Sequence, residues 1–165
     1  DERNDLFDVW LFSNANLVIT TMTGPDTIAG NSGVPMVCVN CAPLKHLYFP
    51  YRSLSAPVKI INKTTFTEIS LPEYMEIEVA DNYERSINNY LVNPLNKSEI
   101  LKVVREGWEL FFKGNRIPLQ LDGIEELLRI ENEIRNIASM NKYRDPEFFV
   151  SLQWLDRMRK AGLLC

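Results

Sequence analysis

The sequence predicts an α/β fold: a Rossmann-like parallel sheet with flanking helices, followed by a helical C-terminal region. Three observations predict it. First, two apolar, β-type runs, Asn16–Thr20 and Met36–Val39, bracket a short helix-like stretch, Asp26–Asn31. A strand–loop–helix–strand unit of that kind forces its strands parallel, with the helix as crossover. Second, 165 residues at 45% hydrophobic and 24% charged are enough for one domain with a core. Third, apolar residues recur at helical spacing through most of the chain after Ser98.

In chain order, Asp5 to Phe12 reads as a short helix, with Leu6, Val9 and Trp10 on one face and Asp5 and Asp8 on the other. The central unit comes next. In it Pro25, with fixed φ and no N–H, suits a helix's first turn, and Ser32-Gly-Val-Pro35 turns the chain into the second run. Asn40 to Tyr51 is a loop rich in proline and aromatics, placed after the carboxyl end of that run. Ser53 to Pro57 reads as a connection into a short strand, Val58–Ile61. Pro72 to Glu76 reads as one helical turn, and Tyr83 to Val92 as ending in an extended piece. Ser98 is the expected cap of a helix carrying Ile100, Val104, Trp108, Phe111 and Phe112, with Gly114 just past its end. A second helix is expected from Asp122, with Glu125 three residues on, and a third from Asp145-Pro146 through Phe148, Phe149 and Leu152 to Met158. The expected division is 1–114 as the sheet-bearing domain and 115–165 as a helical extension packed on it.

The candidate site is the loop between the first run and its helix. Unpaired amides and the helix dipole make an anion site at a strand's carboxyl end, where open α/β sheets bind ligands. Gly24 allows close backbone approach, and Thr20, Thr21 and Thr23 add hydroxyls. The same residue types also make an ordinary, well-capped strand-to-helix connection. Tyr48, Phe49 and Tyr51 suit base stacking or plain packing, and His46 suits a base, a phosphate contact or neither.

Composition narrows the classes. A net charge of −4 argues against a nucleic-acid binder. No apolar run approaches the ~20 residues that span a bilayer. The chain opens on Asp1 rather than Met, as expected of a piece of something longer. Three cysteines, an odd count, suit a reducing compartment. Cys38-Val-Asn-Cys41 has C-x-x-C spacing, but a zinc site needs two further ligands, and a strand-core role is the simpler reading. No metal or cofactor is expected. The sequence has no G-x-G-x-x-G, no P-loop and no G-x-S-x-G elbow. That leaves an anion-binding loop without a nucleophile beside it, which suits a diphosphate leaving group.

Leu17-Val-Ile-Thr-Thr-Met-Thr-Gly-Pro-Asp-Thr-Ile-Ala-Gly-Asn-Ser-Gly-Val-Pro35 resembles the nucleotide-sugar-binding motif in the C-terminal half of GT-B-fold glycosyltransferases. Heptosyltransferase-like enzymes carry Ser-Asn-Asp-Thr-Gly-Pro after an apolar strand, then a short helix and Gly-Thr-Pro. Thr23-Gly24-Pro25, Ile28-Ala29 and Gly33-Val34-Pro35 match in type and spacing. Asp8-Val-Trp-Leu11, Asn40, Pro43 and the run from Asn93 to Val104 extend the likeness to bacterial glycosyltransferases of surface-polysaccharide synthesis. It covers roughly the first 115 residues. Two positions depart from the family pattern: Met22 stands where it has Asp, and Thr27 where it has His.

The resemblance implies transfer of a sugar from a nucleotide diphosphate-sugar to an acceptor hydroxyl, without a diphosphate-bound metal. It makes Thr21, Met22, Thr23, Gly24 and Pro25 the loop that holds the donor diphosphate. Asp26, Thr27, Asn40 and His46 become candidates for the nucleoside or sugar. The glycan or lipid-linked acceptor and the catalytic base would belong to an N-terminal domain that nothing here resembles, so the fragment alone is not expected to turn over. The implied location is the cytoplasm, free or peripheral to the inner membrane. Two other classes remain open: an epimerase-like or non-catalytic nucleotide-binding α/β domain, and a helical interaction module with an exposed apolar stripe on its last two helices.

Overall fold

The computed structural model describes residues 5–22, 24–41, 52–77, 89–115, 121–138 and 147–164. In order, the elements are α1 (Asp5–Asn14), β1 (Val18–Thr20), α2 (Asp26–Asn31), β2 (Met36–Cys41), β3 (Ser53–Pro57), β4 (Lys59–Asn62), α3 (Leu71–Glu76), β5 (Tyr90–Asn93), α4 (Lys97–Lys113), α5 (Ile124–Ala138), β6 (Phe148–Val150) and α6 (Leu152–Lys160). Four strands form one parallel sheet in the order β1-β2-β3-β6, and β4 and β5 form an antiparallel pair. The architecture is Rossmann-like: a parallel sheet flanked by helices, followed by a largely helical C-terminal region.

Register sorts the core into two faces, because residues paired across parallel strands point the same way. Ile19, Val37, Leu54 and Phe149 share one face, and Thr20, Cys38, Ser55 and Val150 the other. On the first face α4 packs closely through Gly107, where a methyl group would overlap the Val37 side chain and touch Leu54. On the second face Asp26, the first residue of α2, lies near Cys38. Polar ties join the periphery to this core. Arg157 of α6 grips Glu68 with two bonds of 2.8 and 2.6 Å, and Lys59 of β4 pairs with Glu99 of α4 at 2.8 Å.

The structure corrects the reading of several segments. Ser53–Pro57 is a fully buried strand rather than a connection. Its serines and alanine hide it from any apolar pattern, while their small size suits the crowded middle of a sheet. Phe148–Val150 is a strand beside β3, not the opening of a helix; Ser151 is the true cap, its hydroxyl accepting from Trp154 N–H at 3.2 Å. The strand ties the rear of the chain into the main sheet. Asn96, not Ser98, caps α4, accepting from Ser98 N–H and Glu99 N–H while Glu99 returns a bond to Asn96 N–H. Gly123 takes φ 64°, so α5 starts at Ile124 rather than at Asp122. Gly114, at φ 64°, ends α4 in the left-handed conformation as expected.

Candidate functional site

β1 ends at Thr20, and that hydroxyl organises the turn into α2. It donates to Asp26 Oδ2 at 3.0 Å and accepts from Met22 N–H at 3.0 Å. One side chain thus pins the strand end both to the turn and to the first residue of α2. The turn puts Met22 at φ 67°, a left-handed conformation uncommon for such a side chain. Pro25 stands at the helix N-cap with no side-chain cap. The first-turn amides of Thr27 and Ile28 donate to the Gly24 and Pro25 carbonyls, both at 3.2 Å. Thr27 adds its hydroxyl to the Gly24 carbonyl at 2.7 Å.

Beside this turn is a cleft of about 260 Å³ that runs along all three residues of β1 to Thr21, Pro25 and Asp26, with Phe12 and Val39 also on its walls. Of the residues singled out from sequence, Thr20, Thr21, Pro25 and Asp26 meet there. Gly24 is exposed nearby, with nothing within 4 Å of the position a Cβ would take. Met22 is half-buried and packs on the core. Thr27 is exposed, with its hydroxyl engaged as described. Asn40 Oδ1 accepts from Leu95 N–H at 2.6 Å, anchoring the chain that enters α4. Thr23, His46, Tyr48, Phe49 and Tyr51 lie outside the described residues.

Asp26 sets the electrostatics. Only 8% exposed, it places a carboxylate in the first turn of α2. That carboxylate already complements the helix dipole. It opposes a phosphate placed over it and favours hydroxyl donors, as its bond from Thr20 illustrates. The Thr20–Asp26 pairing is the feature that sequence reading missed. Its signal was a threonine closing a strand six residues before an acid that opens a helix.

Cys38 and Cys41 are core groups. A register shift between Val39 and Cys41, with Asn40 at φ 52°, interrupts the strand's regular alternation. Both thiols are buried. Burial pushes the Cys41 thiol up to about 12. Burial, then the neighbouring Cys41 and Asp26, raise Cys38 as well. Neither supplies a thiolate near neutral pH. Among the described residues, no three His, Cys, Asp or Glu side chains gather where they could hold a metal ion, and no helix is long and apolar enough to cross a membrane.

No family model matches the chain, and neither a curated protein nor a solved structure matches it. The architecture by itself is that of the Rossmann-like α/β domains, a type that binds nucleotides in many enzymes.

Proposed function

We propose that this chain is the donor-binding half of a glycosyltransferase, taking a nucleotide diphosphate-sugar at the carboxyl edge of β1 and β2. The cleft carries the reading: Thr20, Thr21, Pro25 and Asp26 converge at a strand end beside a helix that has no side-chain cap. The Thr21–Pro25 loop, including Met22, Thr23 and Gly24, cradles the diphosphate through its backbone N–H groups other than Pro25, which has none, and Met22, whose N–H is held by Thr20. Asp26 takes a hydroxyl of the ribose or sugar. The backbone donors stabilise charge on the departing diphosphate, an electrostatic contribution that needs no bound metal. Acceptor and catalytic base come from an N-terminal domain, so binding rather than turnover is the measurable property of this chain.

The test is calorimetric titration with uridine, guanosine, adenosine and cytidine diphosphate-sugars. One of them is expected to bind. Gly24→Val should abolish that binding with the circular dichroism spectrum unchanged, since the site has room for the side chain but the ligand then does not. Asp26→Asn should weaken binding about tenfold, or about 1.4 kcal/mol. Unchanged affinity in Gly24→Val, or no heat with any of the four, defeats the proposal. An epimerase-like domain would bind the same ligands, and the full-length enzyme's products separate the two.

A further inference from the structure

A second cavity, of about 200 Å³, lies between α4 and α6 and shares no wall residue with the donor cleft. From α4 come Glu99, Lys102 and Val103, within one turn. From α6 come Trp154, Arg157 and Lys160, which share a face at steps of three residues.

Two of these residues carry donors that meet nothing. Trp154 is 2% exposed, and its Nε1–H is buried without an acceptor. Arg157 gives both terminal nitrogens to Glu68, and its Nε–H is buried without an acceptor as well. Indole and guanidinium N–H groups can only donate. Buried polar groups of folded proteins are nearly always bonded, so two such donors on the walls of one cavity mark a missing acceptor. No acceptor on those walls is stranded in the same way.

Charge narrows that acceptor to an anion. The carboxylates on the walls are already answered, Glu99 by Lys59 at 2.8 Å, and Asp156 by Arg159 at 2.6 Å and Lys160 at 2.7 Å. Lys102 is exposed and pairs with no acid among the described residues. The walls and their ion-pair partners hold five cations, Lys59, Lys102, Arg157, Arg159 and Lys160, against three acids, Glu68, Glu99 and Asp156. This surplus of two positive charges sits in a chain whose net charge is −4. Unanswered donors beside such a surplus match an oxyanion of charge −2. We propose that the cavity binds the phosphate of a small phosphomonoester, with Trp154 Nε1–H, Arg157 Nε–H and Lys102 as its donors. A space of this size holds little more than the phosphate and a few further atoms. The site stands or falls without the donor cleft.

Trp154 supplies the reporter. Trp10 and Trp108 are 59% and 48% exposed, and replacing both with phenylalanine leaves Trp154 as the single indole of the chain. Inorganic phosphate at millimolar concentrations should then shift the emission and give heat in calorimetric titration, and acetate at equal ionic strength should do neither. Lys102→Glu, at an exposed position, should weaken phosphate binding about tenfold or more with an unchanged circular dichroism spectrum. Gly24→Val, which blocks the donor loop, should leave the response as it was, so failure of one site is distinguishable from failure of the other. No emission change and no heat means that water answers the two donors, and overturns the proposal. So does phosphate binding indifferent to Lys102→Glu, or acetate bound as tightly as phosphate. Two further probes support the proposal in different forms: cosedimentation with phosphatidic acid vesicles that Lys102→Glu abolishes assigns the phosphate to a lipid headgroup, and binding of glycerol phosphate without cosedimentation assigns it to a soluble ligand.

Discussion

Helices α2 and α6 each start just after a strand of the parallel sheet, yet their N-termini are finished in opposite ways. At α6 the protein inserts an anion of its own. Glu106, 3% exposed and reaching over from α4, accepts from the Ser151 hydroxyl at 2.6 Å, Leu152 N–H at 2.7 Å and Gln153 N–H at 3.2 Å. The orphan amides and the dipole that attract a phosphate elsewhere are answered internally. At α2 no side chain caps the helix, and its acid turns aside to Thr20 at the wall of an open cleft. The same local grammar is thus completed by a borrowed carboxylate in one place and, in the other, by the Gly24 and Pro25 carbonyls beside an open cleft. What separates them is whether another element supplies the anion, and that depends on how α4 crosses the sheet.

The comparison breaks most visibly at Glu106. Replacing it with leucine leaves three donors without their charged acceptor in a dry site, so unfolding free energy should fall by about 3–5 kcal/mol in urea titration. Nucleotide-sugar affinity of the folded fraction should not change. Asp26→Asn should do the reverse, costing under about 1 kcal/mol of stability while reducing affinity as proposed. If Glu106→Leu is as stable as the parent, the α6 cap is not structural and the contrast with α2 fails.

Gly107 sharpens the same point. It lets α4 lie close enough to β2 and β3 for the adjacent Glu106 to reach α6. An alanine there overlaps Val37 on a central strand, and such overpacking should cost about 1–3 kcal/mol. Stability measured for Gly107→Ala, Glu106→Leu and the double variant should be less than additive, because lifting α4 also withdraws the carboxylate. Full additivity would show that the cap does not depend on the close approach.

The sequence made one of these two N-termini visible and hid the other, for physical reasons. β1, α2 and β2 are contiguous, so local chemistry such as Pro25 and the apolar runs announced them. The α6 start depends on a residue from another helix, 45 positions away from Ser151, and nothing local marks it. Phe148, Phe149 and Leu152 also mimic helical spacing, which disguised a three-residue strand. β3 was missed because Ser53, Ser55 and Ala56 are buried for their size rather than their hydrophobicity. Within the cleft, Thr21, Pro25 and Asp26 were legible from the loop. The Thr20 bond was not, because it depends on the turn at Met22.

The smallest expected effect concerns α4, which is capped by a third route: its own Asn96 and Glu99. Partial burial by itself would raise the Glu99 carboxyl, but the bonds from Lys59 and from Asn96 N–H outweigh it and hold the group below its usual value of 4.5. A depressed folded-state pKa means that the folded protein releases this proton more readily than the unfolded chain. The resulting stability is complete above about pH 4.5 and is lost as pH falls through the lower folded value. Glu99→Gln should therefore flatten the pH dependence of unfolding below that point and leave its shape near neutrality unchanged. Asn96→Ala, which removes the acceptor for Ser98 and Glu99 N–H, should cost about 1 kcal/mol. Because the bonds of this cap come from Asn96, Glu99 and Lys59 and not from Glu106, both effects should persist in Glu106→Leu. Losing them in that background would mean that α4 and α6 fold as one unit, and that the distinction between a local cap and a borrowed one is too sharp.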